Sequence, residues 1–558
     1  MVSASLTFAF ALALFLTRRA RADPVDVAFA SDVSVDAASL SRTLVSFSIE
    51  QDHWTKWSGT FARNHFVFNV LDNLKAKTGS PPLIRIGANS EDRTIFDSSV
   101  QFSVSHFPPH TKIVPYPEST HNRVSDSFYQ TARFLPPDTH IIWGVNLGQR
   151  NISAATHEAR AIFKAFSTDA FKDAGLVLDA IEIGNEADLY KLHHGRPSDY
   201  SISDYLHEWS VFASAVSDVA HITDASHTKF WIGSFSTHAK TGFSPHALFK
   251  HGLPKSTLVS TYSQHHYSGS FCRGAPSLLQ DLMSKDNIRG DLSAFASDIA
   301  SVRSHGLHYV LGETNSYKCH GAPGVSNTAG AALWTLDYAL FAATIGVSRL
   351  FFHEGVGYKY NLIQPVTLTR SILDGEPLAE PLAPHVQPQY YAAIIIAEAT
   401  GKSGNVQLKE IQIDNPNIAG YAFYEKGKLR RAVFINSKAF FKGRQRRTTH
   451  ITLNFQSSKY QRVHVKRLRI RHADDTSGLT WGGQSYETSD GRVSGTEHEE
   501  VWPISDGVHI RETEAVCTKP MSIRKRHHGK CLETWDADNF QNNFMTSLLE
   551  SSSDKIFG

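Results

Sequence analysis

Eight short apolar runs recur between residues 44 and 353, and stretches with helical periodicity separate them. They lie at residues 44–49, 83–87, 141–147, 178–184, 230–235, 258–264, 308–312 and 349–353. Near-continuous apolarity and β-branched content are typical of strands buried on both faces of a parallel sheet. Strand and helix alternating eight times predicts a (β/α)8 barrel. An open doubly wound sheet is the alternative, but no glycine-rich phosphate loop follows the first strand.

The clearest helical pattern is residues 152–171, ISAATHEARAIFKAFSTDAF. Apolar side chains recur there at helical spacing, from Ala159 through Ile162 and Phe163 to Phe166. Ser153 is the expected capping residue, because serine is favoured at helix N-termini.

The pattern changes after a helical segment at residues 389–401. Short alternating runs broken by turn signals extend from about 405 to 515 and predict an antiparallel β-sandwich, with one hairpin turning at Lys426-Gly427. Residues 25–36 also alternate and are expected to join that sandwich. The predicted division is an N-terminal strand region at 23–42, a barrel at 43–400, a sandwich at 401–516 and an irregular tail at 517–558, for which a short peripheral helix is the alternative.

The first 22 residues have the form of an export signal. The apolar run at residues 6–16 is too short to cross a bilayer, and Ala20-Arg21-Ala22 has the small-x-small form of a cleavage site. A buried N-terminal helix is the alternative, since the basic residues follow the apolar run. We therefore expect a secreted protein that is not held at a membrane after cleavage, with Asn151 in Asn-Ile-Ser as a glycosylation acceptor.

Composition narrows the function classes only slightly. The 558 residues carry a formal net charge of +2, which argues against a nucleic-acid or membrane partner. Four cysteines in a chain of this length do not make a disulfide scaffold, and their spacing matches no zinc site. Whether Cys272 and Cys319 pair stays open at this level.

Two carboxylates follow apolar runs at matching places. Glu186 ends the fourth run and Glu313 the seventh. The active site of such a barrel gathers at the C-terminal ends of its strands, and strands four and seven face each other across the mouth. A buried ion pair would explain either glutamate alone, but the two together predict a shared pocket.

Two opposed carboxylates are what glycoside hydrolysis requires: one donates a proton to the leaving oxygen and the other attacks the anomeric carbon. Their surroundings must hold their pKa values apart. Asn185, beside Glu186, is expected to bind the 2-hydroxyl of the sugar.

Three segments resemble glycoside hydrolase family 79, which contains β-glucuronidases and heparanase. They are IEIGNEADLY at 181–190, the segment from 309 to 340 that begins YVLGETNSYKCHGAPG, and HEGVGYKYNLI at 353–363. The resemblance covers about residues 25 to 515. It implies a barrel followed by a β-sandwich that takes in the N-terminal strand, with Glu186 as acid/base and Glu313 as nucleophile.

The same resemblance implies how a glucuronic acid carboxylate is bound. It points to Tyr317 and Tyr358 with the backbone around Gly357, and simple packing is the alternative for each tyrosine. Lys318 and Lys359 are expected to be solvated. Tyr267 is expected to hydrogen-bond the nucleophile, as the homologous position does in related enzymes.

Other polar residues at strand ends are candidates for sugar hydroxyls. Glu50 follows strand one, with a buried pairing to Arg85 as its alternative, and Asn89 follows strand two. His265 and His266 are adjacent on a strand and should face opposite ways, so we expect no shared metal ion. The basic segments at 442–450 and 462–472 are interpreted as a solvated face, with an acidic-polysaccharide subsite as the alternative.

The resulting hypothesis is a secreted retaining exo-β-glucuronidase that needs no cofactor. Its expected substrate is terminal glucuronic acid, with or without a 4-O-methyl group, on glycans such as arabinogalactan side chains. The alternatives are a heparanase-like enzyme that cuts internally, a catalytically inactive carbohydrate-binding homologue, and a related enzyme for another sugar such as arabinofuranose or xylose.

Overall fold

The computed structural model describes residues 24–30, 32–236, 242–253, 258–455 and 460–522. Eight parallel strands close into a barrel, and strand eight pairs with strand one with Leu350 opposite Val45. In chain order, barrel strands one to eight are Val45–Glu50, Ile84–Gly87, His140–Val145, Val177–Ile183, Lys229–Phe235, Val259–Ser270, His308–Lys318 and Leu350–Glu354. The predicted (β/α)8 barrel is confirmed, and the open sheet is excluded.

Apolar side chains fill the barrel interior at the N-terminal end of the strands. A buried cluster joins the N-terminal halves of the strands, and within it the rings of Trp231 and Phe351 meet edge to face at 5.1 Å. Its members are Leu83, Ile142, Ala180, Trp231, Val310 and Phe351. Because this plug closes the N-terminal end, the polar side chains farther along the strands gather at the C-terminal mouth.

Helices pack around the barrel. They are Trp54–Ser58, His65–Thr78, Asp126–Gln130, Ile152–Phe166, Asp169–Asp173, Tyr190–His193, Ile202–Ala220, Pro245–Lys250, Leu279–Leu282, Lys285–Ser293, Ala296–Ser304, Ala329–Thr344 and Gln389–Thr400. The prediction of Ser153 as a cap is wrong, because the Asn151 side-chain oxygen accepts the Ala154 backbone N–H at 3.1 Å and so caps that helix. None of the helices that the structure describes is long and apolar enough to cross a membrane.

Two further sheets form the predicted sandwich. One holds Val25–Phe29, Thr448–Phe455 and Val508–Arg511. The other holds Ala38–Leu40, Val406–Glu410, Ile418–Glu425, Lys428–Asn436, Glu514–Ser522, Tyr460–Arg469, Thr480–Trp481 and Glu500–Pro503. The N-terminal region thus joins the sandwich, as predicted, and it contributes one strand to each sheet. Positive φ angles of 50° at Lys426 and 75° at Gly427 make the predicted hairpin turn.

Shorter strands lie in the loops at the barrel mouth. They are Thr94–Phe96, Ser103–His106, His121–Val124, Ile363–Gln364, Leu368–Arg370, Pro377–Leu382 and His385–Val386.

The boundary predicted at residue 517 is wrong. Strand Glu514–Ser522 runs through Cys517 and pairs with Lys428–Asn436, since its alternating apolar side chains complete the sandwich core. The rest of the predicted tail and the predicted export signal at residues 1–22 lie outside the described residues.

One largely buried ion network attaches the sandwich to the barrel. Arg289 donates to both carboxylate oxygens of Asp337, at 2.5 and 2.9 Å, and to Glu410 at 2.6 Å. Asp337 belongs to a barrel helix, whereas Glu410 ends a sandwich strand. The network therefore joins a barrel helix directly to a sandwich strand.

Candidate active site

One fully buried arginine organises the barrel mouth. Arg85, on strand two, donates to Glu182 at 2.5 Å, to Glu313 at 3.0 Å and to Asn185 at 2.8 Å. Burial disfavours the Arg85 cation, but the charges of Glu182 and Glu313 outweigh burial and raise its pKa. A single guanidinium therefore orients groups from strands two, four and seven.

The structure brings Glu186 and Glu313 together as predicted. A carboxylate oxygen of each lies within 4.8 Å of the other, and His265 lies between them. His265 Nδ1 is 3.2 Å from Glu186 Oε1 and 4.0 Å from Glu313 Oε2. The side chains of Glu186 and Glu313 are 15% and 8% exposed, so both can be reached from the mouth.

A sharp turn presents Glu186 after strand four. Gly184 and Glu186 both have positive φ, at 78° and 49°. Such a backbone conformation is strained in a residue with a side chain, and it concentrates at functional sites. The Glu186 N–H donates to the Ser234 carbonyl at 2.9 Å, which ties the turn to strand five.

Several groups hold Glu313 in its ionised form. Tyr267 donates its hydroxyl proton to Glu313 Oε1 at 2.8 Å, which is the contact that the sequence analysis predicts. Burial raises the pKa of Glu313, but the charges of His353 and His265 outweigh it. Arg85 and the Tyr267 hydrogen bond add to this effect, so the pKa lies far below its usual range.

Asn185 and Asn89 are also brought to this site. Asn185 donates to Asn89 Oδ1 at 3.1 Å, and Asn89 donates to Glu118 Oε2 at 2.9 Å. Their sugar-binding roles stay predictions, although the chain of amides reaches from the carboxylate pair to the loop that carries Glu118.

Glu50 ends strand one but is fully buried. Its Oε1 accepts the Ser90 N–H at 2.7 Å, and its Oε2 lies 3.3 Å from His353 Nε2. The structure thus pairs Glu50 with His353 rather than with Arg85. Burial and the Glu118 charge raise the pKa of Glu50 to about 7. Burial lowers the pKa of His353, but Glu313 and Glu50 outweigh that effect and raise it to about 9.

The three residues expected to bind a uronic acid carboxylate differ in whether their donors already have hydrogen-bond partners. The Tyr358 hydroxyl is buried and has no hydrogen-bond partner among the described residues. The Gly357 N–H donates to Gln364 Oε1 at 3.0 Å, so this donor is already engaged. Tyr317 is half-buried, and burial raises the pKa of its hydroxyl.

The expectation that Lys359 is solvated is wrong. Its side chain is fully buried, and Nζ donates to the Ile113 carbonyl at 3.1 Å. Burial lowers the pKa of Lys359 to about 8. Lys318 is partly buried and bonds to Ser236 at 3.3 Å.

Other functional candidates carried only weak sequence signals. Arg85 interrupts an apolar run and His353 ends one, which marks both as unusual strand residues. Glu118 and His320 lie in separate loops and meet at 3.1 Å. A disulfide joins Cys272 to Cys319, the pairing that the sequence analysis left open.

Two groups of three side chains among the described residues have ligand-type atoms close together. One is Glu186, His265 and Glu313, the site itself. The other is His140, Asp179 and His227, in which both imidazoles bond to one Asp179 oxygen at 2.7 and 2.9 Å. His266 turns away from His265 and meets the Phe295 ring at 5.1 Å, as strand alternation predicts.

The basic segments of the sandwich serve its own structure in part. Lys466 is buried and donates to Glu398 at 2.9 Å, and Arg446 donates to three backbone carbonyls. The interpretation as a wholly solvated face is therefore wrong for these residues.

A closed (β/α)8 barrel with an opposed carboxylate pair at strands four and seven defines a glycoside hydrolase class of site. Residues 420–517 match the glycosyl hydrolase family 79 C-terminal beta domain. A β-glucuronidase from Aspergillus niger is 27% identical over 486 residues, covering 82% of this chain and 86% of that protein. One from Neurospora crassa is 26% identical over 512 residues, covering 82% and 87%. The chain is thus similar to fungal β-glucuronidases over most of its length, and its C-terminal domain matches the family 79 domain.

Solved structures share the fold. A 4-O-α-L-rhamnosyl-β-D-glucuronidase from Fusarium oxysporum superposes with a TM-score of 0.74 at 22% identity, covering 88% of this chain and all of that one. A family 51 α-L-arabinofuranosidase from Bifidobacterium longum superposes with a TM-score of 0.57 at 15% identity, covering 90% of this chain and 100% of that one.

Proposed function

We propose that this protein is a retaining β-glucuronidase that releases terminal β-linked glucuronic acid from glycans. The observation that carries the proposal is the proximity of Glu186 and Glu313, whose nearest oxygens lie within 4.8 Å. Retaining enzymes hold their two carboxyl groups about 5–5.5 Å apart, whereas inverting enzymes need about 6.5–9.5 Å for a water molecule. The named β-glucuronidase relatives support the choice of sugar.

In the first step, ionised Glu313 attacks the anomeric carbon while protonated Glu186 donates its proton to the glycosidic oxygen, and the aglycone leaves as an alcohol. The product is a glucuronyl ester of Glu313. In the second step, Glu186 removes a proton from water, which attacks the anomeric carbon and frees Glu313. Asn185, whose side-chain oxygen accepts a hydrogen bond from Arg85, contacts the 2-hydroxyl in both steps of this proposal.

The exo mode is supported by the loop that follows strand two. Tyr116 in this loop packs over Gly357, where an added Cβ would lie 2.1 Å from the ring. The Tyr116 hydroxyl donates to the Arg370 carbonyl at 2.9 Å, so two loops meet above the site. Such closure favours a chain end over an internal linkage. Arabinogalactan-type side chains, with or without a 4-O-methyl group, are the substrates we infer.

Export is also part of this proposal. A disulfide such as Cys272–Cys319 persists in oxidising compartments, which fits a secreted protein. Asn151 is exposed, and its Oδ1 caps a helix. Attachment of a glycan to Nδ2 leaves that oxygen free to keep its hydrogen bond.

The test is hydrolysis of p-nitrophenyl β-D-glucuronide beside the β-glucoside, β-xyloside and α-arabinofuranoside, with Glu313→Gln as control. We expect cleavage of the glucuronide alone, with loss in the variant and with the β-anomer as first product by NMR. Preference for a neutral sugar would contradict the proposed specificity. Internal cuts in heparan sulfate without release of glucuronic acid would contradict the exo mode.

A further inference from the structure

His320 is a buried histidine with only one ring nitrogen in use. Its Nε2 lies 3.1 Å from Glu118 Oε1, whereas its Nδ1 is buried without a hydrogen-bond partner among the described residues. Burying a polar nitrogen unpaired is costly, and such atoms are usually satisfied. An unpaired nitrogen beside a candidate active site is therefore available to a polar ligand atom.

Glu118 fixes which nitrogen of His320 carries a proton. Burial raises the pKa of Glu118, but the hydrogen bond and charge of His320 outweigh it, and Arg93 and Asn89 add to their effect. The pKa of Glu118 falls to about 2, so this carboxylate is an anion. An anionic acceptor at Nε2 keeps a proton on that nitrogen. Nδ1 is then the atom free to act on a ligand.

The backbone around His320 is held rigidly. Cys319 and His320 both have positive φ, at 62° and 65°. The disulfide from Cys319 to Cys272 links the segments that follow strands seven and six, with Cα atoms 5.1 Å apart. These constraints fix the backbone that carries the ring, in the loop beyond strand seven.

Stacked rings connect His320 to the carboxylate pair. Its ring lies flat on Tyr358, with centroids 3.7 Å apart and an interplanar angle of 13°. Tyr358 lies 5.8 Å from the ring of His353, and His353 Nδ1 is 3.8 Å from Glu313. The two unpartnered atoms, His320 Nδ1 and the Tyr358 hydroxyl, thus belong to adjacent rings on one side of the nucleophile.

We propose that His320 binds the carboxylate of the glucuronic acid through Nδ1, as a charged donor that Glu118 orients. This inference rests on the proposed function and deepens it. Burial lowers the pKa of His320, so its imidazole is neutral before the substrate arrives. On binding, the substrate carboxylate favours the cation, and Nδ1 takes up a proton from solvent and donates it in a charge-assisted hydrogen bond to a carboxylate oxygen. A neutral hexose presents CH2OH at this position and gains no such bond, so His320 selects for the uronic acid.

The test compares charged and neutral ligands in His320→Gln and His320→Phe. The phenylalanine keeps the stack on Tyr358 and removes both nitrogens. We expect kcat/KM for p-nitrophenyl β-D-glucuronide to fall about 10- to 100-fold in both variants, because a hydrogen bond to a charged group is lost. The inhibition constant of D-glucuronate should rise by a similar factor, while that of the neutral D-glucuronamide should change less than about threefold.

His305→Gln is the matched control. His305 also stacks on a ring, that of Phe249 at 3.6 Å, and also has one nitrogen hydrogen-bonded, to the Ser301 carbonyl at 2.8 Å. It lies at a helix end, outside the site, so its kinetics should match the wild type.

Equal weakening of glucuronate and glucuronamide, or no change in either, would overturn the role of His320 and leave the proposed function intact. A wild-type protein that hydrolyses no glucuronide would overturn the proposed function itself.

Discussion

The Arg85 guanidinium lies 3.0 Å from Glu313 and 2.8 Å from Asn185, and so joins the candidate nucleophile to the amide beside the candidate acid. The same guanidinium donates to Glu182 at 2.5 Å. Its charge thereby offsets two buried carboxylates at the centre of the barrel. Stability and site geometry therefore depend on one side chain.

We expect Arg85→Met to lower the free energy of unfolding by about 3–5 kcal/mol, because it leaves buried carboxylates without their counter-charge. Urea denaturation measures the change. Arg85→Lys keeps the charge but not the planar fork, so it should recover part of the stability and little activity. A methionine variant as stable as the wild type would show that the carboxylates are protonated or otherwise compensated.

Glu313→Gln should reduce kcat on p-nitrophenyl β-D-glucuronide by about 10³-fold or more, since the nucleophile is removed. The fold should survive, because glutamine has nearly the same shape as glutamate and its one carbonyl oxygen can still accept a hydrogen bond from Tyr267 or Arg85. Circular dichroism checks the fold and a stopped assay the rate. Activity within about tenfold of the wild type would exclude Glu313 as nucleophile.

Glu186→Gln should show a dependence on the leaving group. A general acid accelerates the reaction about 10²–10⁴-fold, and the acceleration is smallest when the aglycone can leave without a proton. We therefore expect a larger loss on an alkyl β-D-glucuronide than on the p-nitrophenyl compound. Equal losses on both substrates would argue that Glu186 binds substrate and transfers no proton.

Tyr267→Phe should shift the acid limb of the kcat/KM profile to higher pH. The phenol donates to Glu313 at 2.8 Å and helps to hold the pKa of Glu313 down, so its loss raises that pKa. The rate at neutral pH should fall about tenfold, the usual effect of one hydrogen bond to a charged group. An acid limb that does not move would mean that His353, His265 and Arg85 are enough to keep the pKa of Glu313 low.

The protein should lose stability as pH rises from about 6.5 to about 9. Glu313 and Glu50 raise the pKa of His353 to about 9, above the 6.5 of the unfolded chain, so the folded state holds the proton more tightly. Its contribution is complete below pH 6.5 and disappears as pH passes through 9. The raised pKa of Glu50 acts in the same direction. Thermal melting across this range should show a smaller decline in His353→Gln.

Replacing Cys272 and Cys319 by serine should lower the free energy of unfolding by about 4 kcal/mol, from the loop-closure entropy of a 47-residue separation. The double variant should also bind D-glucuronate more weakly, because the segment that carries His320 is no longer tied to strand six. Unchanged binding in a destabilised variant would separate the two effects.

The C-terminal ends of the strands were the informative positions in the sequence, because a side chain there lies at the barrel mouth in whatever conformation the loops adopt. Glu186 and Glu313 could be paired in this way before any contact was known. Lys359 shows the limit of such reasoning. A lysine in a polar-looking loop is expected in solvent, but the segments around Ile113 and Phe271 cover it.

The linear pattern by itself determined the barrel, the sandwich with its N-terminal strand, and the meeting of the two glutamates. Apolar periodicity and strand order are local properties that a parallel barrel converts directly into position. Only the tertiary structure decided the partners of Arg85, the pairing of Glu50 with His353, the disulfide, and the approach of Glu118 to His320. These depend on burial and on contacts between loops that are distant in the sequence. Such contacts determine which side chains are charged and which donors stay unpaired, but they produce no periodic pattern in the sequence.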